Sequence, residues 1–273
     1  MPIKKQIIIT LLGLYLVLCF AYLQVPNHSF HLYFLDVGQG DSIFIKTPEN
    51  HQILIDGGPQ NKVIEELGEV MPFFDKSLDL VVLTHPHADH IDGLVEVLKR
   101  YRVDNVLVTG VNYENPTYKE FLKEIKYQKI NLYVAEADVD FKFGKVVFDL
   151  IYPQKQLTGE NFSNLNNSSI AMKILYKSKK ILLTGDLEIE TEEKSLKSGV
   201  SLEADIFKAG HHGSRTSSTW KFLEKIDPEI VVIQVGKNNK FGHPHKETLE
   251  NLEKLEIEKV YRNDLNGRVK ITF

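Results

Sequence analysis

Apolar residues fall along this chain in two patterns, and each predicts a different kind of element. Residues 7–23 are apolar almost without interruption and follow Lys4 and Lys5. A run of that length, with a cationic flank and no polar face, predicts a membrane-spanning helix and not the core helix of a soluble fold. Beyond Pro26 the apolar runs are short. Apolar and polar positions alternate over 31–35 and 42–46, and a further run at 52–55 ends in the turn sequence Asp56-Gly57-Gly58-Pro59. This spacing marks strands, so hairpins open the body.

Apolar strands at 80–83, 105–108 and 131–134 are then separated by helical spacing over 89–101 and 117–128. A second hairpin-like block covers 146–151, 169–176 and 180–183. It continues as helix 188–197, strand 205–208, helix 219–226, strand 230–235, helix 247–255 and two terminal strands. Two strand blocks, each extended by strand–helix alternation, predict an α/β fold of two packed sheets with helices outside. The expected organisation is an anchor or signal segment over 1–25 and one large domain over 26–273, with no linker beyond 24–29.

The exit from the apolar run, Cys19-Phe20-Ala21-Tyr22-Leu23-Gln24, lacks the small residues of a signal-peptidase site. That favours an uncleaved anchor over a secreted product, and the preceding lysines put the body outside the cytoplasm. Cys19 is the sole cysteine, so the body forms no internal disulfide. With 33 basic and 37 acidic residues the net charge is −4, which supplies no global field for gathering polyanions; a nucleic-acid substrate has to be held locally.

The candidate chemistry centres on Thr84-His85-Pro86-His87-Ala88-Asp89-His90, directly after the strand at 80–83 and before a helix. Three imidazoles and a carboxylate converging from a loop between rigid elements suit a borderline metal ion. Alternation points His85 and His87 at one cation and leaves Asp89 and His90 for a second. Asp186, in Thr184-Gly185-Asp186 at the end of another strand, offers a carboxylate able to bridge two cations. One of His211 and His212 is expected to complete the second position, His211 being preferred because it follows Gly210 directly, with His212 orienting substrate or leaving group. His243 and His245 follow a later strand and are candidates to bind phosphate or protonate a leaving oxygen, His243 also being an alternative ligand. In the loop 36–42, the amides at Gly38 and Gly40 are placed to hold an anion near the metals, with Asp41 or Ser42 supporting them.

The histidine loop in its strand-to-helix setting resembles the metallo-β-lactamase superfamily. Within it, Asp36-Val37-Gly38-Gln39-Gly40-Asp41-Ser42, Lys208-Ala209-Gly210-His211-His212-Gly213-Ser214 and the segment 236–245 resemble the soluble hydrolase domain of ComEC-type DNA-uptake channels. The resemblance covers nearly all of the chain after the anchor. It implies a four-layer αββα sandwich of two mixed β-sheets and two divalent metal ions, zinc or manganese. It also implies a bridging role for Asp186 and a supporting role for Asp56. Where most two-metal members carry a further histidine, this chain has Asn164-Leu165-Asn166-Asn167-Ser168-Ser169; asparagine or serine suits a harder ion such as manganese or magnesium better than zinc, and Asn167 and Ser168 are expected to support the site or contact substrate.

The implied activity is hydrolysis of a phosphate ester, with DNA as substrate and the DNA-uptake machinery as partner. Asp89 is expected to orient the attacking group and His212 or His243 to protonate the departing oxygen. Gln39, Lys208, Ser214, Arg215, Lys237 and Lys240 are expected to contact substrate or support the site. The rival substrates are phosphorylcholine esters on cell-wall polymers, for which Tyr113, Tyr118 or Trp220 would form an aromatic cage, and β-lactams. The rival of another class is a non-catalytic, metal-stabilised module that binds DNA at the cell surface.

Overall fold

The computed structural model describes residues 3–23, 28–137 and 139–273. Helix α1 (Ile3–Leu23) carries the first apolar run. Its 18-residue window from Ile3 to Phe20 has mean hydropathy 1.8 and no buried residue, long and apolar enough to cross a membrane. Most of the linker expected over 24–29 lies outside the described residues.

The hairpin strands β1 (His31–Phe34), β2 (Ile43–Lys46) and β3 (Gln52–Ile55) lead into helix α2 (Lys62–Val70). Strand β4 (Ser77–Val82), helix α3 (Ala88–Arg100), strand β5 (Arg102–Val108), helix α4 (Pro116–Gln128) and strand β6 (Asn131–Val134) follow. The second half runs β7 (Phe141–Phe143), β8 (Val146–Tyr152), β9 (Ala171–Tyr176), β10 (Lys179–Leu183), α5 (Ile189–Lys197), β11 (Ile206–Lys208), α6 (Trp220–Ile226), β12 (Ile230–Ile233) and α7 (Lys246–Lys254). Strand β13 (Lys259–Arg262), the short helix α8 (Asn263–Asn266) and β14 (Val269–Thr272) end the chain.

These strands form two seven-stranded sheets, ordered β14-β1-β2-β3-β4-β5-β6 and β13-β12-β11-β10-β9-β8-β7. In each, antiparallel pairs give way to parallel ones, at β3–β4 and at β10–β11. Alternation assigns the faces. Leu32, Phe34, Ile43, Ile45, Ile53 and Ile55 meet Phe148, Met172, Ile174 and Ile181 in the core between the sheets. Their neighbours Tyr33, Phe44 and Leu54 turn outward against α2, α3 and α4, while Leu182, Phe207 and Val231 carry α5, α6 and α7 on the far surface. The fold is therefore the expected αββα sandwich. The chain also forms α2, β7 and α8, which periodicity did not predict; β7 spans three residues, and Asn61 supplies α2 with no side-chain cap.

Close backbone approaches fix the histidine loop on this frame. Gly57 N donates to His90 O at 2.7 Å and Gly93 N to Gly58 O at 3.0 Å. A Cβ at Gly93 would stand 2.1 Å from Gly57 O, so only glycine lets α3 lie directly on the turn after β3.

Candidate metal centre

The loops after β4, β10 and β11 converge where the two sheets meet at one edge. There Asp89, His90, Asp186 and His212 bring one potential ligand atom each within 4.8 Å of all the others. His90 Nδ1 donates to Asp56 Oδ2 at 2.8 Å, which turns Nε2 toward Asp186 Oδ2, 3.2 Å away. Asp56 is itself held by Thr84 N at 2.8 Å and Thr84 Oγ1 at 2.6 Å. His212 Nδ1 donates to Gln234 O at 3.0 Å, leaving Nε2 3.3 Å from both Asp89 Oδ2 and Asp186 Oδ2. That buried Nε2 has the two carboxylates beside it but no well-aligned hydrogen bond. In both rings, a partner on Nδ1 selects the tautomer that presents Nε2 to a cation.

His85 is fully buried, and its Nε2 faces His87 Nδ1 at 3.0 Å. Burial, with the charge of His90 beside it, holds the His85 pKa well below the usual histidine range; burial lowers that of His87 too. Both rings are neutral donors. His90 and His212 are the opposite case. Burial opposes their charged forms, but Asp186 and Asp56 for His90, and Asp186 and Asp41 for His212, outweigh it and lift both pKa values well above normal. Burial alone would raise Asp186, yet His212, His90 and Lys208 hold it well below the carboxylate range. The one permanent cation of the group, Lys208, lies between Asp41 and Asp186. Neutral imidazoles at His85 and His87, and imidazole nitrogens of His90 and His212 converging with the Asp89 and Asp186 carboxylates, fit divalent cations.

Several expected residues lie elsewhere. The preference between the two histidines is reversed: His212 joins the group, while His211 faces outward with Nδ1 3.1 Å from Glu188 Oε1. The reason is local. Both residues adopt left-handed backbone, φ 47° and 55°, so strand alternation does not carry into the turn. Lys208 is fully buried, pairing with Asp41 and lying 3.5 Å from Asp186 Oδ1; it balances carboxylate charge and does not reach a substrate phosphate. Asn167 and Ser168 also turn away from the histidines. Asn167 Oδ1 accepts from Glu188 N and Thr191 Oγ1 at the start of α5, and Ser168 Oγ donates to Leu165 O. They lie in a 3₁₀ turn (Leu165–Ser168), where residues three apart share a side. The residues of the turn that reach the site are therefore Asn166, whose amide touches the His87 and His211 rings, and Ser169, whose Oγ accepts from Asp186 N at 3.1 Å.

The loop after β1 supports the centre by contact. Gly40 packs on the start of α3, where an added Cβ would lie 2.3 Å from Asp89 O, and Asp41 N donates to that same carbonyl at 3.2 Å. Ser42 Oγ donates to Asp56 O. Gln39 Oε1 accepts from Gly236 N, and its Nε2 stands 3.5 Å from His243 Nδ1. Asp36 pairs instead with Lys62 on α2, 3.3 Å away.

His243 lies at the mouth edge-on to the His211 ring, centroids 5.5 Å apart, with its pKa lowered to about 4 by burial and by the His212 and His211 charges. It is neutral near pH 7. His245 Nδ1 accepts from Arg215 N, and Ser214 Oγ shares a hydrogen bond with Thr216, so both hold the loop in place. Of the three candidate cage aromatics, Tyr118 is buried in the helix-side core, Trp220 opens α6, and Tyr113 stands 6.4 Å from His87. Beside His87 opens a cavity of about 530 Å³ lined by Asn112, Tyr113, Glu114, Phe162 and Asn164. Arg215, Lys237 and Lys240 are exposed on the neighbouring loops.

Sequence reasoning missed Asn166, Glu188 and Gln234. Gln234 Nε2 donates to Leu35 O and Ser42 O, tying the two sheets together beneath His212. No motif marks such a residue, because its role follows from which sheets meet.

A model described as the metallo-beta-lactamase superfamily matches residues 35–236. Among curated proteins, the chain is 31% identical over 256 residues to ComE operon protein 3 of Bacillus subtilis, covering 88% of this chain and 32% of that protein. It is 28% identical to competence protein ComA of Neisseria gonorrhoeae, covering 90% of this chain and 33% of that one. The chain thus spans about a third of the length of these curated relatives. The crystal structure of the metallo-beta-lactamase fold protein YhfI from Bacillus subtilis superposes with a TM-score of 0.57 at 12% identity, covering 90% of this chain and all of that one.

Proposed function

Because the chain belongs to the metallo-β-lactamase superfamily and is a metallo-hydrolase of that kind, we propose that its substrate is DNA, cleaved at a phosphodiester bond outside the cytoplasm while α1 holds the body at the membrane. The observation that carries this reading is the group Asp89, His90, Asp186 and His212, in a chain whose relatives are named as competence proteins. Those relatives extend well beyond this chain, so a link to an uptake channel is part of the proposal. The anchor reading rests on the unburied apolar helix and the lysines before it.

Asp89, His90, Asp186 and His212, with His85 and His87, would hold divalent cations, which would supply charge to polarise a phosphoryl oxygen and acidify water. The protein groups do the positioning. Asp89 is the most solvent-accessible of the four, a third exposed where His90, Asp186 and His212 are buried; it orients the attacking water. The cavity beside His87 seats the phosphate, and Arg215, Lys237 and Lys240 hold flanking phosphates. His211, part-exposed at the mouth and oriented by Glu188, is the imidazole placed to donate to the departing oxygen, because His212 is committed to the buried group.

The test compares full-length chain loaded with manganese or zinc on single-stranded DNA, duplex DNA, a phosphorylcholine ester and a β-lactam. DNA hydrolysis should disappear in Asp89→Ala and fall about 10²- to 10⁴-fold in kcat in His211→Ala. Full activity of Asp89→Ala contradicts the mechanism, and turnover of the choline ester without DNA cleavage contradicts the substrate.

A further inference from the structure

His85 Nε2 and His87 Nδ1, 3.0 Å apart, present two neutral nitrogens and need further ligands to hold a cation. The Asn166 amide contacts the His87 ring of this pair. Asn166 is 6% exposed, and its Oδ1 is buried without a hydrogen bond. The amide orientation is fixed from behind: Asn166 Nδ2 donates to Glu188 Oε1 at 2.9 Å. The reverse orientation would set Oδ1 against that carboxylate. Glu188 is itself held, receiving Asn164 Nδ2 on Oε2 at 2.8 Å and lying 3.1 Å from His211 Nδ1. With Nδ2 committed, the free oxygen is the atom left for the His87 ring, which the amide contacts. A buried carbonyl oxygen without a donor costs about 1–3 kcal/mol unless something occupies it.

Resting on the metallo-hydrolase reading, we propose that Asn166 Oδ1 is the third protein ligand of the cation bound by His85 and His87, and that this makes the position selective for a hard, oxygen-preferring ion such as manganese over zinc. A neutral amide oxygen is an ordinary donor to hard cations and a poor one for zinc, which favours imidazole, thiolate or carboxylate. Glu188 has the complementary part of positioning the amide.

Stripped full-length chain in nanodiscs is titrated with Mn²⁺, read by the electron paramagnetic resonance of the free ion, and with Zn²⁺ in competition. Wild type should bind two Mn²⁺. Asn166→Ala should weaken one of them at least about 10-fold, and Asn166→His should shift that position toward Zn²⁺ by a similar factor. If the alanine variant fails to fold by circular dichroism, the histidine variant still decides the matter. Two Mn²⁺ in wild type with unchanged affinities and unchanged metal preference across the variants would overturn the role of Asn166 alone. A wild-type chain that binds no divalent cation would overturn the metallo-hydrolase reading with it.

Discussion

Asp56→Asn replaces one oxygen of a fully buried carboxylate by an NH₂ of nearly the same shape, so its effects come from hydrogen-bond polarity. Asp56 accepts from Thr84 N, Thr84 Oγ1 and His90 Nδ1 at 2.6–2.8 Å. In the variant the amide oxygen still accepts from Thr84 N, and the Thr84 hydroxyl can rotate to accept. His90 has no such freedom. An amide donor facing Nδ1 requires the other tautomer, which puts the proton on Nε2, the atom 3.2 Å from Asp186 Oδ2 and aimed into the group. Loss of such an orienting partner lowers metal affinity about 10- to 100-fold, or about 1.4–2.8 kcal/mol. The fold loses one charge-assisted hydrogen bond, about 1.5–3 kcal/mol. Calorimetric metal titration gives the first quantity and denaturant unfolding of the apoprotein the second. A folded Asp56→Asn chain with wild-type metal affinity would refute the tautomer argument.

Further predictions concern other parts of the molecule. Glu192 is buried beneath Ser218 and Thr219, and burial raises its pKa to about 7. Because its folded value lies above its unfolded one, its contribution is complete below about pH 4.5 and is lost as pH rises through 7, a change of about 3 kcal/mol. Glu192→Gln should remove this slope, measured as the wild-type minus variant unfolding free energy at pH 5 and pH 8; parallel curves would contradict it. Replacing Arg215, Lys237 and Lys240 together by alanine should weaken DNA binding across sequences and reduce its salt slope by about one for each phosphate that is no longer neutralised. An unchanged slope in a filter-binding series would remove these residues from the interface. Gly40→Ala forces a Cβ against Asp89 O and should destabilise the fold by about 1–3 kcal/mol while lowering activity; wild-type melting would show that the loop yields.

The layers and most strands were legible in the sequence because one face of each is buried: Leu32 and Phe34 turn to one core and Tyr33 to the other. The ligand-bearing loops were legible because they follow apolar strands, as with His85 after β4 and Asp186 after β10. What failed was side-chain direction inside irregular turns. His211 and His212 exchange places because two consecutive residues are left-handed, and Asn166 replaces Asn167 because the turn is 3₁₀. Lys208 reads as a solvent-facing cation until the carboxylates of Asp41 and Asp186 are seen around it. Each of these depends on packing across the sheet-to-sheet edge, between segments far apart in the chain.

The central claim is tested most directly by locating the metal. Crystals of the protein soaked with manganese or zinc should show an anomalous peak about 2.0–2.2 Å from the ligand atoms of Asp89, His90, Asp186 and His212. A peak bound only by other residues, or none at saturating metal, would contradict the account.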